Sequence, residues 1–386
     1  MTKIPFFGLK RQYANLREEL LDVSDRVYSS GQVLDGTNVS AFETAMAGRC
    51  HRQFAVAVNS CTQGIIMTQA ALKLSNQPVI IPTVSFVATL NSVTLANNIP
   101  VYCDVDQHGI IDLDSLPYNP KAEGINALMY VNLFGNVVDY DRLRVVTELF
   151  SNGKLTVIED AAQSFGAYYK GIPSGKLGDV SVLSFDPTKN LPNYGSGGMV
   201  LTDDWEIYNN LRNLRDNGKD SGHVSAGTNS KMSESDCAQM LVKLKYFDEW
   251  QRRRKEIADF YTDNLKNYVR VTRVNVDVEH AWHKFPIWLD EAHMDDEFVY
   301  SHLERGRIQS QLESLGIETK VHYSTPLPDM ACNPHTNFLT NFLYSPDLYS
   351  GGELHCKTEI SLPIYPELTD LEVEYIVENV IDCISS

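Results

Sequence analysis

Seven short apolar runs between residues 54 and 202 constrain the fold of this chain more than any other feature. Most are apolar throughout instead of alternating, which is typical of strands buried on both faces of a mainly parallel sheet. Helical patterns lie between them at 62–74, 87–97 and 140–152. This alternation predicts an α/β fold whose ligands bind beyond the carboxyl ends of the strands. The runs are FAVAV (54–58), PVIIP (78–82), PVYCDV (100–105), NALMYV (126–131), KLTVIED (154–160), VSVLSF (180–185) and GGMVLT (197–202).

The sequence after residue 203 has a different pattern. A nearly unbroken helical pattern covers 233–265, and its start, SESD, offers helix-capping side chains. HAWHKFPIWL (280–289), a helix-like stretch at 298–316 and IETKVHY (317–323) then indicate a smaller α+β region. Because 386 residues exceed what one hydrophobic core usually supports, we predict a large domain at 1–250, with an N-terminal arm, and a smaller domain at 251–386.

Charge and cysteine content narrow the class of protein. Fifty acidic against 33 basic residues give a net charge of −17, which argues against binding nucleic acid or an anionic membrane. Helix N-termini can still hold a small phosphate. The seven cysteines are scattered without a C-x-x-C pair, so we expect no disulfide framework and no metal site. No signal peptide or membrane-length apolar run is visible, and we expect a cytoplasmic protein.

Three segments that follow predicted strands carry candidate chemistry. In VIEDAAQSFGA (157–167), Asp160 ends a buried strand, where an unpaired charge is costly. Its partner could be the ring nitrogen of pyridoxal phosphate or the start of the next helix. In LSFDPTKNLPNYGSGGMVL (183–201), Lys189 lies in a turn and could condense with an aldehyde, although a surface loop lysine is the commoner case. The helix start after VAVNS could bind a phosphate or be an ordinary cap.

Together these segments resemble the DegT/DnrJ/EryC1/StrS family of sugar aminotransferases, a branch of the fold-type-I pyridoxal-phosphate enzymes. The resemblance runs from IPFFGLKRQY (4–13) through SGQVLDGTNVSAFETAMA (30–47) and GTNSKMSESDCAQMLVKL (227–244) to ISLPIYPELTD (360–370). Asp160, Gln163, Ser184 and Lys189 stand at the family's spacing, with offsets of 3, 21 and 5. The resemblance implies a large domain built on a mainly parallel seven-stranded sheet and a smaller C-terminal α+β domain.

The resemblance also implies a role for each candidate residue. Lys189 would be the Schiff-base lysine and, with Asp160 on the pyridine nitrogen, the catalytic pair. Gln163 would contact the ring hydroxyl, and Phe86 would stack on the ring or simply fill the core. Asn229 would reach the cofactor of a neighbouring subunit, which makes an obligate homodimer with shared active sites. The cofactor phosphate would be held by Ser60, Cys61, Thr62 and Ser184.

Six residues bear on the substrate or depart from the family pattern. Cys61 replaces a usual glycine, Ser196 stands where relatives often have an acidic residue, and Lys231 replaces a common arginine. Lys231, together with His322 and Tyr323, lies where relatives approach the substrate. His283 lies in the same region, although a structural histidine is the commoner case. These departures leave the identity of the sugar open.

The implied activity is transfer of an amino group from a donor, expected to be L-glutamate, to a nucleotide-linked keto sugar. Pyridoxal 5'-phosphate would alternate with its amino form, pyridoxamine 5'-phosphate. The P-T-K-N-L segment (187–191) slightly favours a C3 over a C4 carbonyl. Such enzymes make amino sugars for lipopolysaccharide, O-antigen or antibiotics. The alternatives are a sugar dehydratase of the same family, another fold-type-I enzyme, or a binding or regulatory protein on this scaffold.

Overall fold

The computed structural model describes residues 3–116, 124–151, 155–289, 301–333 and 349–386. Its centre is a seven-stranded sheet in the order β1-β9-β8-β5-β4-β2-β3. All seven predicted strands are confirmed, so the α/β fold class is confirmed as well. The strands are β1 (Phe54–Val58), β2 (Pro78–Pro82), β3 (Ile99–Cys103), β4 (Ala127–Val131), β5 (Thr156–Asp160), β8 (Val180–Ser184) and β9 (Gly198–Thr202).

Six of these strands run parallel, and β9 runs in the opposite direction between β1 and β8. The apolar runs are continuous because both faces of the sheet are covered. In β1, Ala55 and Ala57 belong to one hydrophobic cluster, while Val56 and Val58 belong to another on the opposite face. A small separate sheet joins β6 (Tyr168–Tyr169), β7 (Ile172–Pro173) and β11 (Val278–Glu279).

Helices cover the sheet on both sides. The predicted helices at 62–74 and 87–97 are confirmed with shorter bounds, as α3 and α4. The predicted helix at 140–152 is α5, and residue 152 lies outside the described part of the chain. The helices of this region are α1 (Leu9–Ser30), α2 (Thr37–Arg49), α3 (Cys61–Ala71), α4 (Ala88–Leu95), α5 (Tyr140–Ser151), α6 (Trp205–Arg215) and α7 (Glu234–Leu244).

The prediction of a nearly unbroken helix over 233–265 is wrong in one respect, because this segment forms two helices. Ser233 caps α7, as the sequence indicated, by accepting a hydrogen bond from the Asp236 N–H. The chain then leaves α7 through tightened bonds from Lys245 and Tyr246 to carbonyls three residues back. The second helix, α8, covers Phe247–Leu265. The two helices share one apolar periodicity, which is why the sequence did not show the break.

The C-terminal region has its own sheet and hydrophobic cluster. Its strands are β10 (Arg270–Val271), β12 (Phe285–Trp288) and β13 (Glu359–Leu362), in the order β10-β12-β13. Its helices are α9 (Ser301–Ser314), α10 (Ser350–Thr358) and α11 (Asp370–Ser385). The predicted helix at 298–316 corresponds to α9, with residues 298–300 outside the described part.

The predicted domain boundary falls inside α8. Phe247 and Trp250, at the start of this helix, pack in the cluster beneath the large sheet. Ile257 and Tyr261 pack in the C-terminal cluster, which also contains Ile4 from the N-terminal segment. The division at residue 250 therefore stays a prediction. No helix within the described ranges is long and apolar enough to cross a membrane.

Candidate active site

A cavity of about 360 Å³ opens at the carboxyl ends of β1, β2, β5 and β8. This is the edge at which the parallel strands predicted a ligand site. The structure brings together in it most of the residues that the sequence singled out. The cavity is lined by Ser60, Cys61, Thr62, Phe86, Asp160, Gln163, Ser184, Lys189, Ser196, His283, His322 and Tyr323, among others.

One end of the cavity is formed by the N-terminus of α3. Ser60 caps the helix by accepting a hydrogen bond from the Gln63 N–H at 3.2 Å. The N–H groups of Cys61 and Thr62 have no carbonyl one turn back within the helix, so they can bind an anion. A Cβ at Gly198 would lie 2.7 Å from the Cys61 nitrogen. Glycine at this position therefore lets β9 approach the start of α3.

The cysteine that replaces the family glycine causes no backbone strain. Cys61 is the first residue of α3 and is not among the non-glycine residues with positive φ. A side chain is therefore tolerated there without a glycine's conformational freedom. Burial and the nearby Asp160 raise the pKa of the Cys61 thiol. Cys61 thus contributes its N–H group and a neutral thiol.

Asp160 is the last residue of β5 and has few partners. Its Oδ1 accepts a hydrogen bond from the Ala162 N–H at 3.1 Å, and its Oδ2 accepts a long one from the Thr89 hydroxyl at 3.5 Å. Burial raises the pKa of Asp160 to about 6, against the opposing effects of the Ala162 N–H and Lys189. A cation placed beside this carboxylate would lower its pKa and stabilise the charged form.

Lys189 is positioned by a turn that its neighbours stabilise. Asp186 Oδ1 accepts hydrogen bonds from the N–H and the hydroxyl of Thr188, at 3.0 and 2.7 Å. The Asp186 carbonyl accepts from the Lys189 N–H at 2.9 Å. Burial lowers the pKa of Lys189, while Cys61, Asp160 and Asp186 oppose the shift. A lysine with a lowered pKa that faces a cavity is suited to act as a nucleophile and base.

Gln163, Tyr323 and His283 form one hydrogen-bonded group in the cavity wall. Gln163 Oε1 accepts from the Phe134 N–H at 2.9 Å, and its Nε2 donates to the Tyr323 hydroxyl at 3.2 Å. His283 lies 3.2 Å from Gln163 Oε1 through Nδ1 and 3.0 Å from the Thr188 carbonyl through Nε2. These bonds fix the amide of Gln163 at the position where the ring hydroxyl of a cofactor is expected.

Phe86 does not fill the core. Its side chain is 55% exposed, and its ring centroid lies 6.0 Å from that of Tyr323. An exposed aromatic ring at the wall of a cavity fits the stacking alternative, because a core residue would be buried.

His322 is tied to a buried carboxylate behind the cavity wall. Its Nδ1 lies 2.9 Å from the Ser361 hydroxyl, which in turn donates to Glu359. Glu359 Oε2 also accepts from the His322 N–H at 2.6 Å. Burial raises the pKa of Glu359 to about 7. Since Ser361 donates its proton to Glu359, it accepts one from His322 Nδ1, which leaves Nε2 as the unprotonated nitrogen.

Two predicted residues do not line the cavity of their own protomer. Asn229 is exposed, and its backbone pairs with that of Asp216. The Lys231 amine forms an ion pair with Asp216. The carbonyl of Ser230 accepts from the Asn59 N–H at 2.8 Å, which places this segment beside the start of α3. The role of Asn229 and Lys231 in a neighbouring subunit's site therefore stays a prediction.

Several residues of the cavity wall were not singled out from the sequence, among them Phe7, Thr89, Asp186 and Lys284. Lys284 could have been noted from the sequence, because it is a charged residue inside the largely apolar run HAWHKFPIWL. Asp186 lies three residues before Lys189 and could have been noted as a turn residue. Phe7 and Thr89 gave no local signal, since only the fold brings them to the cavity.

The groups in the cavity fit pyridoxal phosphate. Two free N–H groups with the hydroxyls of Thr62 and Ser184 suit a phosphate dianion, and the under-bonded carboxylate of Asp160 suits a protonated ring nitrogen. The Lys189 amine suits an aldehyde. In contrast, the described residues contain no group of three or more His, Cys, Asp or Glu side chains that could hold a metal ion.

The chain is similar to known proteins along almost its whole length. The model of the DegT/DnrJ/EryC1/StrS aminotransferase family matches residues 14–381. A pleiotropic regulatory protein of Geobacillus stearothermophilus is 30% identical, over 98% of this chain and 97% of its own. The dTDP-3-amino-3,4,6-trideoxy-alpha-D-glucose transaminase of Streptomyces venezuelae is 31% identical, over 84% of this chain and 83% of its own. The solved structure of S. venezuelae DesV in complex with a ketimine intermediate has a TM-score of 0.89 at 28% identity and full coverage of both chains.

Proposed function

Because the chain belongs to the DegT/DnrJ/EryC1/StrS aminotransferase family, we propose that it transfers an amino group from an amino acid to a nucleotide-linked keto sugar. The chain is a pyridoxal-phosphate-dependent aminotransferase. The observation that carries the proposal is that Lys189 and Asp160 line one cavity, with an anion-binding helix start at its end. A scaffold that only bound a partner would not need this buried pair.

Each residue of the cavity has a proposed part in holding the cofactor. Ser60, Thr62 and Ser184, with the N–H groups at the start of α3, bind its phosphate. Asp160 holds the proton on the ring nitrogen, and Gln163 hydrogen-bonds the ring hydroxyl. Phe86 would stack on the ring, and Cys61 would contribute its N–H. Pyridoxal phosphate, when bound, supplies an aldehyde that carries the amino group and a ring that withdraws electrons from the reacting carbon.

Lys189 has two proposed parts. Its amine would hold the cofactor by condensing with the aldehyde and releasing water, because a buried amine of lowered pKa is a competent nucleophile. Once displaced, the same amine takes the proton from the α-carbon of the donor and acts as the acid–base group. Asp160 supports both parts, since its negative charge would keep the ring nitrogen protonated.

The acceptor and the donor are proposed from resemblance. The transaminase relative of S. venezuelae is named for a 3-amino sugar carried by dTDP, which supports a nucleotide sugar and a C3 carbonyl slightly more than a C4 carbonyl. L-Glutamate is the proposed donor. Lys231, His322 and Tyr323 are the proposed contacts with the sugar, and the unprotonated Nε2 of His322 could accept a hydrogen bond from a sugar hydroxyl.

A homodimer with shared active sites is also proposed. Asn229 is exposed on its own protomer beside the start of α3, and Lys231, two residues on, is largely buried against Asp216. If a second protomer covers this surface, Asn229 of the first protomer would lie at the phosphate of the cofactor that the second protomer binds. Chemical cross-linking and the mass measured in solution test the dimer, and Asn229→Ala should weaken cofactor binding without separating the subunits.

Two other functions have less support. A dehydratase of the family is disfavoured because Lys189 is present, whereas some dehydratases have histidine at this position. A regulatory role is supported by the relative from Geobacillus stearothermophilus, which is named as a pleiotropic regulatory protein. The intact Lys189 and Asp160 favour catalysis over a purely regulatory role.

The test uses purified protein and visible absorbance. Bound pyridoxal phosphate should give a yellow protein, L-glutamate should bleach it, and Lys189→Ala should abolish both effects. A panel of 3-keto and 4-keto nucleotide sugars should then restore the colour, with the aminated sugar identified by mass spectrometry. A protein that stays colourless with added cofactor, or whose colour is unaffected by Lys189→Ala, would contradict the proposal.

A further inference from the structure

Lys284 is a buried cation in the cavity wall. It directly precedes β12, its side chain is 3% exposed, and it lines the same cavity as Lys189 and His322. Its backbone N–H donates to the Phe134 carbonyl at 3.2 Å, which fixes the origin of the side chain. None of the parts proposed for cofactor binding or proton transfer uses this residue.

The amine of Lys284 has aromatic neighbours and no anionic partner. Its Nζ lies 4.1 Å from the ring centroid of Phe7 and 4.8 Å from that of Phe6. Ring faces attract a cation but do not satisfy its three N–H donors. Within the described residues, no carboxylate lies within 4.0 Å of this amine and no hydrogen-bond acceptor contacts it. A buried ammonium group without a partner is costly.

The surrounding charges make the amine responsive to an anion. Burial, Lys189 and Arg254 lower the pKa of Lys284, while Asp186 and Glu359 oppose the shift. His283 and His322 also face it, since its charge lowers the pKa of both rings. An anion bound beside the amine would raise its pKa again and stabilise the charged form.

Another buried lysine shows what a structural role looks like in this fold. Lys243 is fully buried in α7, and its Nζ donates to the Pro192 carbonyl at 2.6 Å. The same amine lies 3.5 Å from the ring centroid of Tyr194. The Lys243 amine therefore has a hydrogen-bond acceptor within the protein, whereas the Lys284 amine contacts only the two phenylalanine rings among the described residues and faces the cavity.

We propose that Lys284 binds an acidic group, a carboxylate or a phosphate monoester, of a reactant in this cavity. This inference rests on the proposed function, because it assumes that the cavity holds the reactants of amino transfer. A cavity of about 360 Å³ is at the small end of ligand pockets. It can accommodate the cofactor and the reacting end of a substrate, so the acidic group belongs to the sugar ring or to the amino donor.

The test uses calorimetry on the cofactor-loaded protein to compare how tightly acidic ligands and their neutral counterparts bind. UDP-glucuronate is compared with UDP-glucose, and glucose 6-phosphate with glucose, to detect an acidic sugar. L-Glutamate is compared with L-glutamine and L-isoglutamine to detect the side-chain and the α-carboxylate of a donor. We expect at least one acidic ligand to bind better than its neutral partner, and Lys284→Met to remove about tenfold or more of that preference.

Lys243→Met is the matched control. The Lys243→Met protein should still bind the acidic ligand more tightly than the neutral one. Its melting temperature should be lower, because the substitution removes a buried hydrogen bond. Lys284→Met should not lower the melting temperature, because it removes an unpaired buried charge. If Lys284→Met fails to fold, Lys284→Gln replaces it, since glutamine is uncharged and similar in length.

The proposal is overturned if no acidic ligand is preferred by the wild type, or if every preference persists in the Lys284 variant. Failure of the proposed function would be seen separately. In that case the wild type would not take up the cofactor, or L-glutamate would not bleach it, whatever the charge preference of the cavity.

Discussion

Glu159 and Asp160 are neighbours at the end of β5, and their side chains point to opposite faces of the sheet. Both carboxylates are buried, but their surroundings differ. Glu159 accepts hydrogen bonds from the side chains of Asn132 and Ser174 at 3.0 and 2.7 Å. It also accepts from the Leu177 N–H at 2.9 Å and the Ser181 hydroxyl at 2.6 Å.

Asp160 has one backbone N–H at 3.1 Å and one hydroxyl at 3.5 Å. The comparison teaches that burial alone does not identify a functional carboxylate. A carboxylate whose acceptor sites are filled by the protein holds the fold together. A carboxylate whose sites are left open faces a cavity and is available to a ligand. The predictions below separate these two roles, beginning with the largest effect.

Asp160→Asn should separate function from stability. The amide cannot keep a ring nitrogen protonated, so we expect the rate of the glutamate half-reaction to fall by about 10³-fold or more. The fold should be retained, because the protein itself makes few bonds to this side chain. Stopped-flow absorbance gives the rate and thermal melting gives the stability. Wild-type rates in this variant would remove Asp160 from catalysis.

Glu159→Gln should lower the stability of the fold and leave cofactor binding intact. Its NH₂ group would face donors of the protein, and the buried network would lose stability by about 3–5 kcal/mol. Urea unfolding followed by circular dichroism measures the loss. The folded fraction should still bind the cofactor. Glu148→Gln is the control, since that carboxylate is 65% exposed and should change stability by less than about 0.5 kcal/mol.

A stable Glu159→Gln protein that no longer binds the cofactor would reverse the two roles. It would mean that Glu159, whose acceptor sites are filled by the protein, determines cofactor binding, and that Asp160 does not.

The stability of the cofactor-free protein should also depend on pH through Asp160. The pKa of Asp160 is raised from 3.8 to about 6 in the fold, so the folded state binds an extra proton between these values. Stability should therefore fall as pH rises from 4 to 6, by up to about 3 kcal/mol for this group. Above pH 6 the contribution should be constant.

Melting curves of the wild type and Asp160→Asn over this pH range measure the effect as a difference. Added cofactor should cancel it, because a protonated ring nitrogen favours the charged carboxylate. Identical pH profiles for the two proteins would contradict the assignment of the raised pKa to Asp160.

The smallest expected effect is that of Thr89→Val. It removes the long hydrogen bond to Asp160, and we expect the half-reaction to slow by about threefold to tenfold. Thr94→Val is the control on the same helix, because its hydroxyl bonds to the Leu90 carbonyl at 3.2 Å. An effect of Thr94→Val as large as that of Thr89→Val would indicate a general disturbance of α4.

Much of this contrast was accessible from the sequence, and its decisive part was not. The apolar runs predicted every strand of the large sheet, because strands covered on both faces have few polar residues. The run at 154–160 showed two carboxylates at a strand end, and the spacing to Lys189 selected Asp160 by resemblance. The saturation of Glu159 could not be predicted, since its partners come from residues 132, 174, 177 and 181.

Other misses have the same cause. The direction of β9 and the break before α8 depend on packing between distant elements. Lys284 was visible as a charge in an apolar run, but its distance from Lys189 in the chain hid their common cavity. Lys189 was not missed: taken alone it resembles a surface lysine, but its spacing to Asp160, Gln163 and Ser184 singled it out by resemblance.

The N-terminal segment has a consequence for how the protein is made. The Ile4 N–H donates to the Gly316 carbonyl at 2.8 Å, and the Phe6 N–H donates to Glu318, which is 312 residues away in the chain. Phe7, which follows at once, forms part of the cavity wall. During synthesis on the ribosome these residues emerge long before their partners exist. The nascent chain therefore cannot close its cavity until residues 316–318 have been translated.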